Sequence, residues 1–166
     1  MMIDYENSKD GFVKINIKSN WEYIPMTREF IANFLSVKVI DKNLISNATI
    51  VAEELLENAV RFSSFNGINF QINKNDNDSK IIIKITNYSN TKNAEDLLLN
   101  IDEINNSKDK LELYVTKLKN FTKDREKNQG VGLSRISYEN KASIYVNYKK
   151  IDNNLSIVEV VSSIAC

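Results

Sequence analysis

The chain contains no histidine among its 166 residues. Ser-His-Asp and Cys-His catalysis both need an imidazole as the general base, so neither mechanism is available. Imidazole is also a common zinc ligand, so a zinc site is not expected either. Any catalysis by this chain therefore depends on carboxylates, amides, hydroxyls or lysines.

Cysteine, proline and glycine are also scarce. The one cysteine is Cys166, the last residue, which excludes a disulfide framework and a redox pair. The one proline, Pro25, predicts the start of a helix, because its missing N–H costs nothing in a first turn. Two of the four glycines, Gly130 and Gly132, are separated by one residue.

The chain has no excess of charge of one sign and no long apolar run. It has 22 basic and 22 acidic side chains, which argues against a nucleic-acid or membrane surface as its partner. The apolar runs 81–83 and 97–99 are too short to cross a bilayer. Residues 1–10 are polar and acidic, unlike a signal peptide. We therefore expect a cytoplasmic protein that binds neither nucleic acid nor membrane.

The spacing of apolar residues predicts the element order β-α-α-β-β-α-α-α-β-β. The predicted strands cover residues 12–18, 68–72, 80–86, 143–149 and 155–163. The predicted helices cover 25–37, 44–63, two segments within 93–128, and 130–139. Asp41 or Ser46 is expected to cap the second helix, and Gly67 to end that helical region. The fold class is α+β: a two-layer α/β sandwich with a mixed, mainly antiparallel sheet, helices on one face and a single domain over 1–166.

The second predicted helix carries a carboxylate and an amide one turn apart. On a helical wheel, Glu54 and Asn58 lie about 40° apart at the margin of a broad apolar face. A carboxylate in that place can accept a proton from an attacking hydroxyl or water. An amide oxygen one turn later can help to hold Mg²⁺. The same spacing also fits an ordinary solvated helix margin.

A short glycine motif, Gly130-Val131-Gly132-Leu133, precedes another predicted helix. Glycine lets the backbone approach an anion closely, and a helix N-terminus offers free N–H groups. An ordinary connection between a loop and a helix would have the same pattern.

Together the two motifs resemble those of the GHKL (histidine-kinase-like) ATPases. Residues 54–61 resemble the N-box of that family, and residues 130–133 resemble its later glycine box. The leading strand and the helix start at 25–30 resemble the small bacterial anti-sigma serine/threonine kinases in particular. The resemblance covers residues 12–164, with a helical lid over about 90–129, and it implies the Bergerat (GHKL ATPase) fold.

The resemblance implies a role for each matched residue. Glu54 would be the general base and Asn58 the Mg²⁺ ligand. The glycine box, Gly130, Val131, Gly132 and Leu133, would lie by the phosphates of ATP.

One segment departs from the family pattern. Asn87 stands where the family has an aspartate that accepts a hydrogen bond from adenine, and an amide oxygen can also accept that bond. The two glycines that normally follow are replaced by Ser89 and a residue near Thr91, so any positive φ there would be costly. A degenerate segment of this kind resembles a divergent branch that acts on a small partner protein.

Three functions compete at this stage. The first is a serine/threonine kinase that uses ATP and Mg²⁺ to switch a small anti-anti-sigma-like protein or a sigma factor. The second is a non-catalytic module that sequesters a partner. The third is a sensor-kinase catalytic domain that acts on a separate histidine protein. Relatives of this type commonly dimerise, so a homodimer is also considered.

Overall fold

The computed structural model describes residues 11–75, 80–123 and 130–166. Residues 76–79 of the turn predicted over 73–79, and the last part of the predicted lid, 124–129, lie outside the described residues. Residues 73–75 continue the preceding strand instead of forming that turn.

The described residues form ten elements in the predicted order. The strands are β1 (Gly11–Ile17), β2 (Ser63–Asn75), β3 (Lys80–Asn90), β4 (Ser143–Lys150) and β5 (Leu155–Ala165). The helices are α1 (Tyr23–Lys38), α2 (Lys42–Phe62), α3 (Thr91–Asn106), α4 (Lys110–Lys123) and α5 (Val131–Glu139). Pro25 lies in the first turn of α1, where a proline is tolerated.

The five strands form one sheet in the order β1-β2-β3-β5-β4. Each of the four pairings between described strands is antiparallel. Helices pack on one face, so the predicted two-layer α+β sandwich with a mainly antiparallel sheet is confirmed. The central strands alternate: Ile83 and Ile85 are buried, and Lys84 on the other face pairs with Glu159 at 2.5 Å.

The core lies between the sheet and α2. Phe70 and Ile72 of β2 are fully buried, as are Ala52 and Leu56 of α2. Helix α1 adds Ile31 and other side chains to the same cluster. Complete burial of a large apolar side chain contributes about 1.5–3 kcal/mol each, so this shared core fixes α2 against the sheet.

The predicted start of β2 and the predicted end of β3 were wrong. Gly67 does not end the helical region, because α2 already ends at Phe62 and Gly67 lies inside β2. The pairing of β2 with β3 is irregular between Ser63 and Ile68, which is the kind of place where a strand accommodates glycine. Strand β3 does not stop at Thr86 either, since its ladder with β5 continues to Asn90.

None of the described helices is both long enough and apolar enough to cross a membrane.

Candidate functional site

Helix α2 places the predicted carboxylate and amide at the edge of the helical layer. Asp41 caps the helix, since its Oδ1 accepts a hydrogen bond from the backbone N–H of Asn43 at 2.8 Å. The helix buries a stripe that includes Val51 and Leu55, as the wheel predicted. Glu54 and Asn58 are half-buried beside that stripe.

The amide of Asn58 has a defined orientation. Its Nδ2 donates a hydrogen bond to the backbone oxygen of Glu54 at 2.8 Å. That contact engages the nitrogen with the helix backbone and leaves the oxygen as the end of the amide that can bind a cation.

Two adjoining pockets lie beside this helix margin. The first is a narrow cavity of about 30 Å³ with mainly apolar walls, which include Leu55, Ile85 and Leu97. The second is a larger pocket of about 270 Å³ with charged and aromatic walls, which include Glu54 and Tyr114. Both pockets are lined by Asn58 and Gly130, so those two residues mark the junction.

The structure brings all the sequence-predicted site residues to these pockets. The apolar pocket is lined by Asn87 and Leu133, the charged pocket by Glu54, Val131 and Gly132, and both by Asn58 and Gly130. These residues come from α2, β3 and the start of α5, which are far apart along the chain. Their roles in chemistry remain predictions.

Asn87 reaches the apolar pocket from within a strand. Its side chain is buried, and its Nδ2 donates to the backbone oxygen of Tyr88 at 3.2 Å. Since side chains of a strand alternate, Ser89 faces the same side as Asn87, and its hydroxyl donates to the backbone oxygen of Phe62 at 2.8 Å. The polar end of β3 is thus part of the site.

The cost expected from the missing glycines does not arise. The strand continues to Asn90, whose side chain then caps α3 by accepting from the N–H of Lys92 at 2.8 Å. Thr91 begins α3 directly. Among the described residues, only Gly130 and Lys141 have a positive φ, so positions 89 and 91 need no left-handed backbone.

Gly130 is in the left-handed conformation. Its φ is 95°, and it directly precedes α5. A Cβ atom at this position would lie 2.9 Å from Oδ1 of Asn100 on α3. Both the backbone conformation and the close neighbour therefore favour glycine.

The lid helices connect to this turn through a buried cation that the sequence argument missed. Lys117 of α4 is buried, forms an ion pair with Glu103 and donates to Oδ1 of Asn100 at 3.2 Å. The charged sequence of residues 108–127 predicts a solvated lid face, with a lysine that reaches phosphates as the alternative. A solvated position is wrong for Lys117, because a helix that packs against α5 must bury part of its circumference.

The backbone at Gly132 lies very close to the Glu54 carboxylate. A Cβ atom there would overlap Oε2 of Glu54, so any other residue would displace this carboxylate. The other carboxylate oxygen, Oε1, accepts a hydrogen bond from Nη2 of Arg135 in an ion pair between α2 and α5. Burial raises the pKa of Glu54, and the Arg135 guanidinium opposes that shift.

Sequence reasoning also missed Arg135. Its partner Glu54 is 81 residues away, so no local spacing links the two. Its Nε atom is buried and has no hydrogen-bond partner in the part of the chain that the structure describes. A basic residue soon after a glycine motif was the one available signal.

The charged pocket has an aromatic and aliphatic wall. Tyr114, Leu118 and Phe121 of α4 line it at helical spacing, opposite the side of α2 that carries Glu54. Tyr114 stacks on Tyr138 of α5, with ring centroids 6.3 Å apart. Helix α4 therefore forms one wall of the pocket and contacts α5 through this aromatic pair.

No protein-family model matches the sequence, and no curated protein matches it. A chain in the crystal structure of the SiaB-SiaC complex from Pseudomonas aeruginosa is similar in structure, with a TM-score of 0.71 and 16% sequence identity. The alignment covers 92% of this chain and 89% of that chain. This protein therefore shares its fold, over nearly its whole length, with a chain of the SiaB-SiaC complex.

Proposed function

We propose that this protein is a serine/threonine kinase that uses ATP and Mg²⁺ to switch a small regulatory partner protein. The observation that carries the proposal is the convergence of all the motif residues on two adjoining pockets that meet at Asn58 and Gly130. One pocket is mainly apolar and the other is charged, as the two ends of a nucleotide require.

The apolar pocket is the proposed adenine site. Asn87 offers its amide oxygen there, since the amide nitrogen donates to the backbone of Tyr88. The cavity of about 30 Å³ is smaller than an adenine ring. We therefore expect α3, which lines this cavity with Ala94 and Leu97, to move outward when nucleotide enters and so to widen it.

The charged pocket is the proposed phosphate site. The glycine turn at its base exposes the first N–H groups of α5, which are unpaired within the helix and favour an anion.

The residues present fit Mg²⁺ held jointly with a nucleotide. Within the described ranges, no group of three or more acidic, histidine or cysteine side chains forms a complete metal cage. Mg²⁺ is normally bound by one or two protein oxygens together with phosphate oxygens and water. The amide oxygen of Asn58 would supply the protein ligand, and the bound ion would offset charge on the phosphates.

Glu54 is the proposed general base. Its carboxylate lies in the charged pocket, 13% exposed, where it can accept the proton of a serine or threonine hydroxyl as that oxygen attacks the terminal phosphoryl group. Gly132 leaves the space that this carboxylate needs.

Two observations support a protein partner. The similar solved chain comes from a complex of two proteins, SiaB and SiaC. In this chain, α1 and the residues after it expose a stripe of large apolar side chains: Met26 at 66%, Phe30 at 46%, Val37 at 81% and Ile40 at 99%. Several large apolar side chains exposed along one helix are typical of an interaction surface. The small partner, anti-anti-sigma-like or a sigma factor, would dock there, or a second copy of the chain would.

The proposal is tested first by the thermal midpoint with and without ATP and Mg²⁺. A ligand that binds only the folded state raises stability by about 2.7 kcal/mol at a hundredfold excess over Kd. We expect a clear upward shift in the wild type, none in Asn58→Ala, and the normal shift in Asn33→Ala. Asn33 is an exposed asparagine of α1 and serves as the matched control.

Phosphoryl transfer is tested with the partner that co-purifies with the chain. Labelled ATP should label a serine or threonine of that partner, and Glu54→Gln should abolish labelling while ATP still binds. Labelling that persists in Glu54→Gln would exclude Glu54 as the base.

A non-catalytic binding module is the second candidate. The narrowness of the apolar cavity and the ion pair that already engages Glu54 favour it. For this function, millimolar ATP would give no thermal shift, and the chain would form a stoichiometric complex with its partner that ATP does not alter.

A further inference from the structure

The ion pair between Glu54 and Arg135 lies inside the proposed phosphate pocket. Both residues line that pocket together with the Gly130–Gly132 turn. The Glu54 side chain is 13% exposed and the Arg135 side chain 40%, so the pair is only partly shielded from water. An anion that enters the pocket therefore meets Arg135 beside the turn.

Arg135 has donors that the ion pair does not use. Its Nη2 donates to Glu54, while its buried Nε has no partner among the described residues. A guanidinium presents five N–H donors in a fixed fork that matches a phosphate or a carboxylate in two-point contact. A buried donor without a partner is costly, so a group that supplies the missing acceptor is favoured.

We propose that Arg135 is a phosphate contact that exchanges partners: it holds the Glu54 carboxylate when the pocket is empty and a phosphate oxygen of the nucleotide when the pocket is filled. This inference rests on the proposed function and adds a regulatory step to it. Nucleotide entry would release Glu54 from its ion pair, so the base becomes free only when the phosphoryl donor is present.

A second arginine provides the matched control. Arg61 of α2 lines the same pocket and carries the same charge, but it lies over the ring of Trp21, 5.9 Å from the centroid. Arg61→Gln and Arg135→Gln therefore remove one positive charge each from one pocket. Only Arg135→Gln removes the ion-pair partner of Glu54.

The test is isothermal titration of ATP with Mg²⁺ into the wild type, Arg135→Gln, Arg61→Gln, Glu54→Gln and the Glu54→Gln/Arg135→Gln double variant. We expect Arg135→Gln to weaken ATP binding roughly tenfold and Glu54→Gln to strengthen it by a similar factor, since coupling between ligands is commonly 5- to 150-fold. The gain from Glu54→Gln should vanish in the double variant, because Arg135 is then absent. Adenosine, which lacks phosphates, should bind Arg135→Gln and the wild type equally.

The outcomes distinguish a failure of the Arg135 exchange from a failure of the proposed function. Equal losses in Arg61→Gln and Arg135→Gln, with the Glu54→Gln gain retained in the double variant, would overturn the exchange and leave ATP binding intact. A wild type that binds no ATP would overturn the proposed function, and the exchange with it. If Arg135→Gln fails to fold, Arg135→Lys replaces it: a point charge in place of the fork should still weaken ATP binding severalfold.

Discussion

Gly132 and Glu54 fit together so closely that a single methyl group would separate them. A Cβ atom at position 132 would overlap Oε2 of Glu54, while Oε1 of the same carboxylate pairs with Arg135. The second glycine of the motif therefore makes room for a carboxylate of this chain, from a helix that lies far away in sequence.

The first prediction concerns this contact. Gly132→Ala should push the Glu54 carboxylate away and break its ion pair. The atoms that must move are the end of a flexible side chain, so the main cost is the loss of a partly exposed ion pair, up to about 1 kcal/mol. The better helix propensity of alanine offsets that cost by up to about 1 kcal/mol. Urea unfolding measures the net change in stability.

Gly67→Ala is the matched control for that variant. A Cβ atom at Gly67 has no neighbour within 4 Å. The free energy of unfolding of Gly67→Ala should therefore stay close to that of the wild type. A Gly132→Ala variant about 1 kcal/mol more stable than the wild type, which is the gain expected from helix propensity alone, would show that Glu54 is not held against position 132.

The second prediction concerns Gly130. Alanine there must adopt a φ near 95° and approach Oδ1 of Asn100 to 2.9 Å. The left-handed backbone alone costs a non-glycine residue about 1–2 kcal/mol. Gly130→Ala should therefore lower the free energy of unfolding by at least that amount, and a variant as stable as the wild type would contradict the assigned turn.

The third prediction concerns pH. Burial raises the pKa of Glu54 above its usual value of 4.5, against the opposing effect of Arg135. The folded state thus holds this proton more tightly than the unfolded state. The resulting stability is present below the unfolded-state pKa and is lost as the pH rises through the folded-state pKa.

Urea unfolding across that pH window, in the wild type and in Glu54→Gln, measures the effect. The wild type should lose stability relative to Glu54→Gln as the pH rises, since glutamine does not titrate. Parallel pH profiles for the two proteins would show that the Glu54 carboxylate is not desolvated.

The fourth prediction concerns the buried lysine of the lid. The Lys117 side chain is 10% exposed and pairs with Glu103, which is 54% exposed. Glu103→Gln should cost about 1–2 kcal/mol, because it leaves a largely buried cation without its counter-charge while water still reaches the partner. Glu95→Gln, which breaks the exposed pair with Lys150, is the control and should change stability little. Equal changes in the free energy of unfolding for Glu103→Gln and Glu95→Gln would show that Lys117 is solvated.

Much of the fold could be read from local patterns. Helix α2 was predicted because a capping residue, Asp41, precedes an apolar stripe at helical spacing, and both features act within a few residues. The nearly continuous apolar run at the start of β3 predicted a strand for the same reason. Its polar end, Asn87–Asn90, was missed because polar residues have little strand propensity, and the ladder with β5 is what extends the strand there.

The site was predictable only in part. Motif resemblance selected Glu54, Asn58, Gly130 and Gly132, and the fold brings them to one pair of pockets. The pairings of Arg135 and Lys117 carried no local signal, because their partners come from other elements.

The sequence alone determined the order of the elements and the buried face of α2, since both depend on residue types within one or two turns of chain. Tertiary structure decided which charges meet. The pairing of Glu54 with Arg135 and the burial of Lys117 depend on packing between helices, because the energy of a charge depends on the neighbours and the water that surround it.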